Sequence, residues 1–388
     1  MTKFNVGGLS LDRPFRIRRI GHIGYHAPDV NETAEFLRNL IGLQHSDVDD
    51  FSSRVPQLSK EEAKGYFLRC GSDHHTVVIG AQALVDTREP NRKGALVGQV
   101  SWQVGSLQEV VDGIRYMDEK THLRRVGRDS PGSNWHAYVY DPDGYINEIY
   151  YGMEQIGWDG RSKPSSMYDR AFHEKPELPQ ICEKTEVNDA FKREGELLGF
   201  RDEIDISNTY EVEGILMERP FKVTRLGRIT LFVEDLEKSI DFYTKVMGLT
   251  LTTKKTIDGQ ECAFLRADRE HHTLTLIPKA LLGQFPFGAA YSLYIATYQQ
   301  FKDAYTYFKK HQVKILDLPK ELSPGVNYSF WVQGPDNVAI QFYYGMDAVD
   351  HLGHEITPVS YPIHTEQWPE TISEQGGWYD PIFLGPLA

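Results

Sequence analysis

A handful of imidazole and carboxylate side chains in this chain of 388 residues stand where they could do chemistry. His22 lies in an alternating run, GHIGYH, and His75 is the second histidine of HHTVVIG. His136 and Tyr138 are two residues apart in WHAYVY, so strand alternation turns both to one face. Glu148, in YINEIYYG, reads as an inward-facing carboxylate on a closing strand, which is costly to bury without a cation and so requires a partner. Imidazole exchanges protons near neutral pH, because its unperturbed pKa is about 6.5, and imidazole with carboxylate suits hard divalent cations. The residue types therefore point to metal-assisted or acid–base chemistry on a small molecule. The Asp-Pro-Asp-Gly stretch at 141–144 is turn chemistry and carries no reaction.

The elements that must position these groups come in two copies. The segment RPFRIRRIGHIGYHAPDVNETAEFLRNLIGL from Arg13 recurs without a gap as RPFKVTRLGRITLFVEDLEKSIDFYTKVMGL from Arg219. Each copy reads as a strand, an Asp cap (Asp29, Asp235), an amphipathic helix and a glycine stop (Gly42, Gly248). YFLRCGSDHHTVVIG and AFLRADREHHTLTLIP then read as paired strands. The runs from Gly98 and Ala289 open a second strand–helix unit, and hairpins from Trp135 and Tyr328 close each copy, with Asp-Gly and Asp-Asn turns. The sequence thus predicts an α+β protein of two tandem domains, each a pair of βαβββ modules, with helices outside and function on the inner face of the sheets. The expected divisions are 1–154, a connection over 155–212 with one helix near Val187 to Leu198, 213–348, and an aromatic tail over 349–388. That tail, with Trp368, Trp378 and Tyr379, is expected to fold back onto a domain or a neighbouring subunit.

Composition narrows the partners. A formal charge of -13, with no concentrated Lys and Arg, argues against nucleic acid or an anionic membrane. The chain shows no stretch of about 18 apolar residues and no signal-like start. Three cysteines without CxxC spacing support neither a disulfide framework nor a thiolate zinc site, so a reducing cytoplasm is the expected compartment.

The double copy, the LGRITLFVEDLEKSIDFYTKVMGL segment, both HHT triplets and the DPDGYINEIYYG hairpin together resemble the type I extradiol ring-cleaving dioxygenases of the vicinal-oxygen-chelate superfamily. That resemblance implies the glyoxalase/bleomycin resistance/extradiol dioxygenase fold and Fe(II), with Mn(II) as the other candidate metal. It also implies a small aromatic substrate with O2, and assembly as a homo-oligomer. In that family two His and one Glu of one domain hold the metal, most often in the carboxy-terminal domain. Here the residues favour the amino-terminal one. The family's first ligand position holds His22 but Arg228 in the second copy, and its last holds Glu148 but Gln341. Arginine carries no lone pair for a cation. The middle position, a His in the family, holds Gln99 in the first copy and Ala290 in the second. An amide oxygen can ligate, as in glyoxalase and epimerase relatives, and equally can be a buried amide bonded to backbone.

By the same resemblance His75 is the acid–base catalyst beside the metal, Tyr138 supports the reacting oxygen, and His136 shapes the substrate pocket. The second copy also has His271 and His272, so the triplet reads equally as a strand contact. The expected function is non-haem Fe(II) extradiol cleavage of a catecholic ring. The alternatives are an isomerase or epimerase using a redox-inert divalent metal, and a metal-free small-molecule binding protein.

Overall fold

The computed structural model describes residues 2–128, 131–132, 134–164, 174–194, 199–203, 205–349 and 368–372. A hairpin of β1 (Phe4–Val6) and β2 (Leu9–Leu11) leads into the first sheet. Its strands are β3 (Ile17–Ala27), β4 (Gln44–Asp50), β5 (Lys64–Arg69), β6 (Val77–Ala81), β7 (Val97–Val104), β8 (His122–Arg128), β9 (Trp135–Tyr140) and β10 (Ile146–Tyr151). They pair in the order β4-β5-β6-β3-β7-β10-β9-β8, so two βαβββ modules meet through the antiparallel contact of β3 with β7. The helices are α1 (Val30–Glu35), continued by a π-turn over Phe36–Ile41, the short α2 (Gln82–Arg88), and α3 (Leu107–Lys120).

Each helix begins and ends for local reasons. Asp29 accepts from the backbone N–H groups of Asn31 and Glu32, and Gly42 closes the π-turn at φ 92. Ser106 caps α3 by accepting from Glu109 N–H, and the Glu109 carboxylate accepts from Arg16 N–H at 2.8 Å. Val110, Val111, Ile114 and Met117 form the buried stripe of α3, while Trp102 and Ile149 are among the fully buried side chains of the sheet. The other face of the sheet is left for His22, Gln99 and Glu148.

After α4 (Glu183–Glu194), the hairpin β11 (Tyr210–Val212) and β12 (Ile215–Met217) repeats the opening hairpin. The second sheet comprises β13 (Val223–Val233), β14 (Thr250–Ile257), β15 (Gln260–Arg266), β16 (Leu274–Pro278), β17 (Ala289–Ile295), β18 (Ile315–Leu316), β19 (Val326–Gln333) and β20 (Val338–Met346), with α5 (Leu236–Asp241) and α6 (Tyr298–Lys310). Its order, β14-β15-β16-β13-β17-β20-β19-β18, matches the first strand for strand. Two eight-stranded mixed sheets with few helices are the fold the repeat predicts.

Three details differ from the sequence reading. The copies begin earlier, because the hairpin at Tyr210 is the counterpart of the one at Phe4 and its three-residue strands are too short to show a period. Helix α4 starts at Glu183, where Glu183 and Glu186 place carboxylates in the first turn; residues 195–198 lie outside the described residues. The chain forms two compact units, residues 1–26 with 44–203 and residues 27–43 with 204–388, so α1 groups with the second sheet. Within that unit Thr33 bonds to Asp336, and Arg219 donates to the Asn39 carbonyl at 3.3 Å. Trp368 packs on Phe301 at 4.7 Å and Tyr305 at 5.4 Å, while Trp378 and Tyr379 lie outside the described residues. Among the described residues no helix is long and apolar enough to cross a membrane.

Candidate functional site

Register brings the predicted residues together. His22 on β3 is level with Ser101 on β7, Ser101 with Glu148 on β10, and Glu148 with Tyr138 on β9. His22 Nε2 lies 3.0 Å from Glu148 Oε2. The Gln99 amide nitrogen lies 3.0 Å from His22 Nε2 and 3.3 Å from Glu148 Oε2. His22 and Glu148 are 1% and 0% exposed, so their charge and lone pairs must be met inside the protein.

Glu148 has more partners than the sequence reading supplies. Ser101 Oγ donates to Oε2 at 2.5 Å and Asn134 Nδ2 to Oε1 at 2.7 Å, while His136 Nδ1 stands 3.7 Å from Oε1. Burial pushes the carboxyl up, but the charge and hydrogen bond of His22, the charge of His136 and the Ser101 hydroxyl outweigh it and hold it at about 2. The site therefore keeps an ionised carboxylate. Two signals could have found these donors: Ser101 is one alternation beyond Gln99, Asn134 one before His136, and both recur as Ser292 and Asn327.

His75 packs edge-on against His22 with ring centroids 4.2 Å apart. Burial first, then the charges of His22 and His74, push its imidazole well below the ordinary range, so it is neutral at pH 7. Its neighbour His74 contacts it through Nδ1 and reaches Asp47 Oδ2 at 2.9 Å. Neither His74 nor Asp47 was singled out from sequence, since their meeting depends on the pairing of β4 with β5. Tyr138 and His136 share the site face, with rings 4.5 Å apart, and Arg125 covers Tyr138 at 4.6 Å. Tyr138 is thus a wall of the site, beside the carboxylate strand. His26, two alternations beyond His22, bonds through Nδ1 to the Ala95 carbonyl at 2.8 Å. A separate cavity of 490 Å³, lined by Trp135, Tyr151 and Leu178 among others, contains none of the predicted site residues.

The spacing of these groups suits a divalent ion. Adjacent ligands of an octahedral ion with bonds of about 2.1 Å lie roughly 3.0 Å apart. The three groups form a triangle with edges of 3.0, 3.0 and 3.3 Å, so one face of such an ion fits. No three His, Cys, Asp or Glu among the described residues are so placed, so the third corner of the triangle is the Gln99 amide. A half-turn of its amide exchanges nitrogen for the ligating oxygen. Among the described residues His22 Nδ1 has no hydrogen-bond partner, and the rings of Tyr150 and His75, at 5.2 and 4.2 Å, pack against it and orient it.

In the second unit the matching positions hold a different solution. Arg228, 1% exposed, donates to His272 Nε2 and Ser323 Oγ, both at 2.9 Å, and lies 5.4 Å from the Trp331 ring. Burial pulls its guanidinium down to about 9. Ser292 donates to Gln341 Oε1 at 3.0 Å. The face is then filled by Phe232, Cys262, Ile277, Ala290 and Trp331, where the first unit has His26, Gly65, Gly80, Gln99 and Tyr138.

Residues 225–342 match the model of the glyoxalase/bleomycin resistance protein/dioxygenase superfamily. The chain carries a domain of this superfamily. The matched residues fall on the copy without the candidate ligands, so scaffold positions carry the match. Over 162 residues the chain is 25% identical to the 2,2',3-trihydroxybiphenyl dioxygenase of Sphingomonas paucimobilis, covering 40% of this chain and 54% of that one. The alignment thus spans about half the length of that relative. The whole fold is shared with the 2,3-dioxygenase LapB of Pseudomonas sp. KL28, at a TM-score of 0.56 and 14% identity over 89% of this chain and 97% of that one. It is shared also with the Mn(II)-bound glyoxalase of Novosphingobium aromaticivorans, at 0.54 and 14% over 90% and 88%. Such identities speak for the superfamily fold and not for one activity.

Proposed function

We propose that this chain is an Fe(II)-dependent dioxygenase of the extradiol type, opening a small catecholic ring with O2 at a site in its first unit. The observation that carries the reading is the triangle of His22 Nε2, Glu148 Oε2 and the Gln99 amide, with the ionised Glu148 at one corner. His22, Gln99 and Glu148 would hold the metal. When bound, Fe(II) would supply a common centre for two vicinal ring oxygens and dioxygen and a route for electrons between them.

The chain's own residues do the rest. Asn134 and Ser101 grip the Glu148 carboxylate, which fixes its direction and keeps it ionised. His75, buried and neutral, is placed to take a proton from a ring hydroxyl and return it later. His136 and Tyr138 form a wall beside the carboxylate, and burial of the group excludes water. A second reading, isomerisation through a redox-inert metal, is favoured by one observation: the third corner is an amide and not an imidazole.

The test is anaerobic reconstitution with Fe(II), followed by oxygen uptake and ring-fission colour against a panel of catechols, with Glu148→Ala beside the wild type. Uptake by the wild type alone is expected. Metal bound without uptake favours isomerase chemistry, and neither metal nor uptake leaves a binding protein.

A further inference from the structure

The adjacent histidines make the same contact in both copies. His74 Nδ1 and His75 Nδ1 are 3.0 Å apart, as are His271 Nδ1 and His272 Nδ1. Two neutral imidazole nitrogens at that distance share one proton, so each pair has a direction: one ring donates and the other accepts. What differs is the end that sets it.

In the second copy the direction follows from Arg228. A guanidinium only donates, so His272 Nε2 is the acceptor, its Nδ1 carries the proton, and that proton points to His271. In the first copy the residue at the Arg228 position is His22, which imposes no such direction. The other end is set instead. Asp47 Oδ2 lies 2.9 Å from His74 Nε2, at a register position, opposite Phe67, that Thr253 fills opposite Phe264. An ionised carboxylate only accepts, so His74 carries its proton on Nε2 and offers a bare Nδ1 to His75. His75 then carries its proton on Nδ1, which leaves its Nε2 with a lone pair. The matching atom of the second copy is the one Arg228 engages, and among the described residues His75 Nε2 has no hydrogen-bond partner of its own.

We propose that Asp47, acting through His74, is a positioning device that holds His75 in the tautomer whose bare Nε2 serves as a proton acceptor at the site. His75 as the base rests on the function proposed above; the tautomer does not. The first copy thus uses a carboxylate at the far end to fix the polarity that the second copy fixes with a cation at the near end. The ligand such an acceptor suits is a protic one, a hydroxyl of a vicinal diol.

The full-length chain, labelled with 15N histidine and freed of metal with chelator, tests this by two-bond 1H–15N correlation at pH 7.5. His74→Gln and His75→Gln assign the signals. Wild type is expected to show His75 with Nε2 unprotonated and Nδ1 protonated. Asp47→Leu is expected to shift His75 toward the Nε2-protonated form, whereas Asp47→Asn, which keeps an acceptor oxygen, retains the wild-type form in part. The His271 and His272 signals stay unchanged in each variant and report that the chain is folded. A wild-type His75 protonated on Nε2 overturns the proposal, and so does an Asp47→Leu spectrum with His75 unaltered. Should Asp47→Leu fail to fold, the wild-type spectrum alone decides. The spectrum needs no turnover, so the expected tautomer without oxygen uptake would sink only the dioxygenase reading, and uptake with the opposite tautomer only this one.

Discussion

Glu148 concentrates the electrostatics of the first unit in one side chain. Its folded pKa, about 2, is below the ordinary value near 4.3, so its ionised form stabilises the fold. The sign follows: that stability is complete above the unfolded value and is lost as pH falls toward 2. In the metal-free protein, the stability that wild type holds over Glu148→Gln should shrink as pH falls below about 5. It should change by on the order of 3 kcal/mol by pH 2, because 1.36 kcal/mol corresponds to each pKa unit. Urea titrations at stepped pH measure it, and a difference independent of pH would contradict the picture. At this scale the sequence was partly legible. His22, Gln99 and Glu148 were visible because alternation along single strands, compared between two copies, reveals which positions differ. Ser101, Asn134 and Asp47 were not singled out because each acts across strands, and register is a property of pairing.

Among elements, β3 shows what brings the site groups close. Gly21 leaves room for the Tyr150 ring, whose hydroxyl and ring edge stand where a Cβ would be, and Gly227 does the same for Tyr343. Tyr150 in turn packs on His22. Gly21→Ala and Gly227→Ala should each cost about 1 to 3 kcal/mol, read as a lowered urea midpoint with unchanged slope, because the ring must leave a packed place. Only Gly21→Ala should also weaken metal binding, since only that ring supports a candidate ligand. The caps and glycine stops of α1 and α5 were readable because they are local chemistry. The grouping of α1 with the second sheet was not, for it rests on Thr33 and Asn39 meeting residues nearly two hundred positions away or more.

For the whole molecule, the two units fill matching positions in different ways. The first keeps ionisable groups on its site face and the second replaces them with Arg228 over an apolar filling. Arg228→Met, which swaps a buried cation for an apolar side chain of similar length, should leave stability unchanged or raise it by about 1 kcal/mol. It should leave oxygen uptake as in the wild type, whereas Glu148→Ala abolishes it. A loss of uptake in Arg228→Met would move the chemistry to the wrong unit for this reading. The doubling of the fold was fully legible, since a gapless repeat of thirty-one residues shows it whatever the individual strands do.

The filling of the second face also bears on how such a chain can change over generations. Phe232, Ile277 and Trp331 interlock with Phe285 and Phe287, so altering any one of them leaves a cavity or a clash that lowers the stability of the whole unit. On the first face Gly80, at the position Ile277 fills in the second, has only the His26 ring within reach of an added Cβ, at 3.4 Å. Substitution on the first face therefore costs the fold less than substitution in the interlocked second face, which supplies the constancy that lets such changes be tried.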